Sequence, residues 1–188
     1  MGVKQTIKKN SSYFLTLTVV GWIDVFTRKN HKDAIIESLR YCISNKGLNV
    51  YSYCLMTNHL HLIVNTNTPH ELKDVIRDFK RHTSKTIIEQ IKNAPESRRE
   101  WMLREFEKAG IESTKHKNYK FWQTGNHAIE LYNERFLWDK INYIHNNPVE
   151  GGFVDRPEDW NYSSASNYQE KESLLPEVQR LVGRLIAV

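Results

Sequence analysis

Apolar positions recur along this chain with two different periods, and the switches between them mark out the elements. From Ser11 to Trp22, Tyr13, Leu15, Leu17 and Val19 alternate with Phe14, Thr16 and Thr18. That two-residue period in a β-branched and aromatic run predicts a strand with one wholly apolar face. From about His31 to Asn45 the spacing becomes helical, with Ala34, Ile35, Leu39, Cys42 and Ile43 in one stripe and Gly47 placed to end the helix. Leu48 to Met56 reads as a second strand, and Asn58 gives a turn signal into a third that starts at His59, so the pair forms an antiparallel hairpin.

A second helix is predicted to open at Thr68-Pro69, with Thr68 as N-cap and Glu71 completing a capping box, and to run to about Lys92. Its inward residues are Leu72, Val75, Ile76, Phe79, Thr83 and Ile87. The polar stretch that follows, about 93–112, carries Trp101, Met102, Leu103 and Phe106 and reads as a short inserted helix. Phe121-Trp122-Gln123 begins a fourth strand or extended segment. A third core helix spans about Leu131 to Asn146 and is ended by Pro148. Leu137, Ile141 and Ile144 form its inward stripe, and Phe136, Lys140, Tyr143 and Asn147 form a second line. The tail from Glu170 to Val188 reads as an amphipathic helix with Leu174, Leu175, Val178, Leu181 and Leu185 on one side.

The order β-α-β-β-α-(insert)-β-α-tail predicts an α+β fold of the ferredoxin-like kind: an antiparallel sheet with helices packed on one face, plus a C-terminal helical tail. Residues 1–168 form one domain in this reading, and 169–188 a helix packed on it or extending from it. Composition changes the picture little. With 188 residues, 39% hydrophobic and 26% charged, the chain is long enough to bury a core and is neither disordered nor fibrous. No apolar run approaches the ~20 residues of a membrane span, and the charged N-terminus lacks the apolar core of a signal peptide. Cys42 and Cys54 are too few for a disulfide framework, so a cytoplasmic protein with no membrane partner is the expectation.

Net charge does shift the expectation. At +5 it favours an anionic partner. Lys73, Arg77, Lys80, Arg81 and Lys85 fall on the outer surface of the second helix, where they form either a solvated face or a row that tracks a phosphate backbone. Lys115, Lys117 and Lys120 are interleaved with Tyr119 and Trp122, a mixture suited to single-stranded nucleic acid, whose bases stack on aromatic faces. On the third strand His59 and His61 face away from Leu60, Leu62 and Val64. They are either polar residues on a wet strand face or two imidazoles that reach one metal ion.

Two stretches taken together resemble a known family. Leu55-Met56-Thr57-Asn58-His59-Leu60-His61-Leu62 resembles the His-hydrophobe-His (HUH) motif of single-tyrosine transposases. Tyr143-Ile144-His145-Asn146-Asn147-Pro148-Val149 resembles their catalytic-tyrosine helix, especially that of REP-associated tyrosine transposases. Phe79-Lys80-Arg81, Trp122-Gln123, Gly152-Phe153-Val154 and Asp159-Trp160 with Ser163-Ser164 extend the similarity over roughly residues 12 to 167. Thr57 departs from the proline common there, and Glu150-Gly151 from a basic residue and alanine.

The resemblance implies that His59 and His61 bind a divalent metal, Mg²⁺ or Mn²⁺, together with Asn147, and that Tyr143 is the nucleophile. It further implies cleavage of single-stranded, hairpin-containing DNA through a 5′-phosphotyrosine, followed by strand rejoining, by a monomer or a homodimer. Physically, Tyr143 and Asn147 at i and i+4 share a helix face, so docking that helix beside the histidine strand delivers both. The alternative is a module that binds single-stranded or hairpin nucleic acid without cutting it. A histidine-triad hydrolase is disfavoured because Ile63 stands at the third alternating position. A two-motif phosphodiesterase lacks its second strand motif.

Overall fold

In the computed structural model, residues 11–112 and 118–182 are described. The central strands of the sheet are the first and the third in sequence. Strand β1 (Tyr13–Thr18) pairs antiparallel with β3 (His59–Thr66), which pairs antiparallel with β2 (Leu48–Leu55), and a two-residue β4 (Ile129–Glu130) closes the other side of β1. The sheet order β2-β3-β1-β4 is that of the ferredoxin-like fold expected from the alternation of elements.

The apolar face of the sheet carries Leu15 and Leu17 of β1 and Leu60, Leu62 and Val64 of β3. Helix α1 (Lys29–Lys46) and helix α2 (Leu72–Asn93) cover it, and all six residues expected to point inward from α2 are buried. Gly47 ends α1 in the left-handed region at φ 59°, where a side chain would be strained. Helix α3 (Arg99–Ile111) is the insert and brings Met102 and Phe106 to the same core. Among the described residues no helix is long and apolar enough to cross a membrane.

Helix α4 (Glu134–Glu150) lies on the opposite face, so the helices are not all on one side of the sheet. The reason is an apolar island on the histidine face: Phe14, Cys54, Met56 and Ile63 need cover, and Ile141 and Ile144 supply it. Both isoleucines are at most 1% exposed, and each such side chain contributes about 1.5–3 kcal/mol by leaving water.

Four details differ from the sequence reading. Helix α2 starts at Leu72 with Glu71 as its N-cap residue and no side-chain cap bond, so the box expected from Thr68 and Glu71 does not form. Trp122 makes only an isolated bridge to Val19, and the fourth strand comes later in the loop. Pro148 sits inside α4 instead of ending it. A proline near a C-terminus removes one helix bond, and the next turn continues here through Gly151 N–H to the Asn147 carbonyl at 2.9 Å.

The fourth concerns the tail. Residues 171–182 are irregular instead of helical, preceded by one short turn, α5 (Ala165–Tyr168). The free edge of β2 is covered by the chain from Tyr162 onward: Leu55 N–H donates to the Tyr162 carbonyl and Ser164 N–H to the Tyr53 carbonyl ahead of α5, and from the tail itself Gln179 N–H donates to the Val50 carbonyl. An uncovered strand edge leaves donors and acceptors unpaired, and satisfying them outweighs the helical spacing of the leucines. Leu175 and Val178 still reach the core, while Leu185 lies outside the described residues.

Candidate active site

Four rings from three parts of the chain meet on the histidine face. His59 and His61 lie with ring centroids 4.6 Å apart, and the Tyr143 ring stands edge-on to His61 at 5.4 Å. Phe14 stacks on His61 at 5.4 Å and is edge-on to Tyr143 at 6.0 Å, forming the apolar floor. Strand alternation explains the histidine pair, and α4 delivers Tyr143 because Ile141 and Ile144, flanking it in sequence, are the residues that dock the helix. Tyr143 itself remains 42% exposed, so its hydroxyl is open to a large substrate.

Each histidine is oriented through its Nδ1. Thr16, the cross-strand partner of His61, places its hydroxyl 3.0 Å from His61 Nδ1. Asn58 Oδ1 lies 2.7 Å from His59 Nδ1. The Asn58 amide cannot turn over, because its Nδ2 donates to the Asp24 carboxylate at 3.0 Å and to the Trp22 carbonyl at 3.2 Å. An amide oxygen only accepts, so His59 carries its proton on Nδ1 and presents the Nε2 lone pair.

The electrostatics keep both rings neutral. Burial pushes His61 down to about 3, helped by its neighbours His59 and Lys140. Burial also lowers His59, with the Asn147 side chain acting in the opposite direction through a hydrogen bond. Asn147, one turn beyond Tyr143, directs its Nδ2 to the Tyr143 carbonyl at 3.4 Å. Lys140 holds its Nζ 5.3 Å from the Tyr143 ring, 5.0 Å from Phe14 and 5.5 Å from Phe136. An ammonium over these faces puts a positive charge beside the tyrosine.

These residues fit a divalent ion. Two neutral imidazoles and one amide are acceptable ligands, and positions left over would go to water and a phosphate oxygen. Outer partners such as Asn58 and Thr16 are what fix metal-ligating imidazoles in place. No group of three or more His, Cys, Asp or Glu side chains arranged for a metal occurs among the described residues; the Asn147 amide is the further donor that could join the two histidines.

The predicted phosphate contacts are not part of this constellation. Helix α2 packs on the other face of the sheet, and its cations have local partners: Lys73 with Glu71, Arg77 with Asp74 and Asp78, and Arg81 with Asp78. Lys80 donates to the carbonyls of Gln123 and Gly125 and to Asn126 Oδ1, and burial draws its pKa down to about 8. It pins the loop before β4 to α2 instead of facing solvent. Lys85 is exposed on α2 beside His82 and Glu89, and Lys120 is half-buried. Lys115 and Lys117 lie outside the described residues. The sequence reading assigned no site role to Thr16, Asn58 or Lys140. Thr16 could have been found from its place opposite His61, and Lys140 from its place in the line with Tyr143.

His145 holds the tyrosine helix in place. Its Nε2 lies 3.2 Å from Ser52 Oγ on β2 and 2.9 Å from Ser164 Oγ in the edge segment. Burial lowers it to about 4. An unfolded histidine titrates near 6.5, so the unfolded chain takes up a proton that the folded one refuses. Stability is therefore complete above about pH 6.5 and falls towards pH 4, by roughly 3 kcal/mol from this group. Urea melts across that range are expected to show a steeper decline in wild type than in His145→Gln, and parallel declines would overturn the assignment.

Comparisons with known proteins bear on the family and the fold. Residues 8–106 match the family model described as "Transposase IS200 like". Among solved structures, a REP-associated tyrosine transposase bound to a REP hairpin aligns over 97% of this chain and 99% of that one, with TM-score 0.61 and 14% identity. A putative transposase from Deinococcus radiodurans R1 aligns over 78% of this chain and 97% of that one, with TM-score 0.46 and 14% identity. No curated protein is detectably similar to the chain. The chain belongs to the IS200-like transposase family.

Proposed function

We propose that the chain is a single-tyrosine DNA strand transferase that cleaves and rejoins single-stranded DNA carrying a hairpin. The observation that carries this reading is the convergence of Tyr143 on the His59–His61 pair, with His61 and Tyr143 ring centroids 5.4 Å apart. The hairpin follows from the REP hairpin held by the structurally similar transposase. Both halves of the site come from one chain, so a monomer suffices for one cleavage.

The Tyr143 hydroxyl loses its proton and attacks the phosphorus. The bond to the 3′ oxygen breaks, and that oxygen leaves as a free 3′-hydroxyl after taking up a proton. The product is a 5′-phosphotyrosine, which keeps a phosphodiester bond, so another strand's 3′-hydroxyl can reverse the step without a nucleotide cofactor. Lys140 offsets negative charge as the phenol ionises, and Phe14 excludes water from beneath the ring. Held by His59, His61 and Asn147, a bound Mg²⁺ or Mn²⁺ would polarise the scissile phosphate.

The test is a denaturing gel of end-labelled single-stranded hairpin DNA incubated with the protein and Mg²⁺ or Mn²⁺. A labelled band that runs with the protein, and is absent with chelator, is the expected result. Binding without cleavage across many hairpins and both metals would instead favour a non-catalytic nucleic-acid-binding module.

A further inference from the structure

Beyond the histidines, on the side away from Tyr143's neighbour Phe14, stands an aromatic side chain with no part in the scheme above. Trp22 is 59% exposed, and its ring is edge-on to His59 at 5.9 Å. An indole is costly to leave in water, and this one sits where the strand carrying Thr16 and Thr18 ends. Its backbone is also unusual: Gly21 has φ 63° and Trp22 φ 55°, so two successive residues occupy the left-handed region. Glycine does this freely, but a bulky side chain there is strained.

Strain of this kind persists only when the surroundings hold it. Here the Trp22 carbonyl accepts from Asn58 Nδ2, the same amide that orients His59. Trp22 N–H donates to the Val19 carbonyl at 3.1 Å, and the preceding Val20 N–H donates to the Phe121 carbonyl at 2.9 Å. The Trp22 backbone is therefore tied to the histidine motif while the indole stays largely in solvent. A T-shaped contact to His59, with the ring planes 70° apart, covers at most one flat face of the indole and leaves the other for a ligand.

We propose that Trp22 is a stacking platform for a nucleobase of the single strand, on the nucleotide next to the phosphate held at His59, His61 and Tyr143. This rests on the transferase reading for its occupant. Bases present a flat π-face whatever their identity, so the platform orients the strand without selecting its sequence. It also explains the strain: a relaxed backbone would swing the ring away from His59, and the base would no longer line up with the phosphate. The chemistry recognised is a heterocyclic base of single-stranded DNA, since a paired base has both faces covered.

The experiment compares Trp22→Gly, Trp22→Phe and Trp101→Ala, all in a Tyr143→Phe background so that no covalent product forms. The probe is a fluorescein-labelled mixed-sequence single-stranded DNA carrying one hairpin, with binding read by anisotropy over a salt series. Trp22→Gly relieves the strain, so its melting temperature is expected to match or exceed the parent while its affinity falls about 5- to 100-fold. Trp22→Phe is expected to lose less, and Trp101→Ala, on exposed α3 surface, to lose nothing. The salt dependence stays unchanged, because no phosphate contact is removed. A 2-aminopurine moved along the strand is expected to be quenched at one position, with emission restored in Trp22→Gly. Equal binding by Trp22→Gly and its parent, including failure of both to bind, overturns the platform. Adduct formation by the protein with Tyr143 intact is scored separately on the same DNA. An adduct together with unimpaired Trp22→Gly binding would reject the platform and leave the transferase.

Discussion

Tyr143→Phe is expected to eliminate the covalent protein–DNA band while leaving binding to the same hairpin within about twofold of wild type, the usual range for an exposed substitution. The separation is sharp because the ring and the hydroxyl have different roles. The ring packs edge-on against His61 and Phe14 and beneath Lys140, and a phenylalanine keeps all of those contacts. Helix α4 is docked by Ile141, Ile144 and His145, none of which is altered. Only the hydroxyl proposed as the nucleophile is lost, so the melting temperature should not move. A protein–DNA band that survives the substitution would mean another hydroxyl attacks. Cleavage that survives without a band would make water the nucleophile, and either result would sink the role given to Tyr143.

What could be read from the sequence, and what could not, divides along the distance over which each feature is determined. The histidine pair was legible because strand alternation is local: Leu60, Leu62 and Val64 had to face the core, which left His59 and His61 on the other side. The six inward residues of α2 were legible for the same reason at helical spacing. Lys80 was not. Its position on α2 resembles an exposed cation, and the carbonyls that bury it belong to a loop more than forty residues later.

The tail failed in a similar way. Leu174, Leu175, Val178 and Leu181 are spaced like a helix stripe, but Gln179 N–H finds the Val50 carbonyl on the free edge of β2, a backbone partner that no local pattern reveals. Asn58 was read only as a turn signal. Its grip on His59 depends on Asp24 and the Trp22 carbonyl, which the fold brings from beyond the end of β1. The line Phe136, Lys140, Tyr143 and Asn147 did place a lysine beside the tyrosine, but only docking on Phe14 shows the ammonium shared among three rings.

His61→Ala is expected to lower the rate of adduct formation by about a thousandfold, because in the proposed scheme losing this metal ligand forfeits several kcal/mol of charge stabilisation at the phosphate. Direct binding provides an independent readout. Titration with Mn²⁺, followed by electron paramagnetic resonance, should show a site in wild type and in Tyr143→Phe that is lost in His61→Ala. Asn58→Ala tests the same site more gently: the imidazoles remain, but His59 is freed to adopt either tautomer, and outer-partner losses of this kind cost about 10- to 100-fold in metal affinity. Nitrogen-15 spectra of the metal-free protein should show His59 protonated at Nδ1 in wild type and a mixture in Asn58→Ala. The order wild type, Asn58→Ala, His61→Ala in Mn²⁺ affinity is the signature of an oriented ligand pair. If His61→Ala kept both its Mn²⁺ site and its metal-dependent adduct, the two histidines would be polar residues on a wet strand face, and the nucleophile would have to be activated by Lys140 and the helix alone.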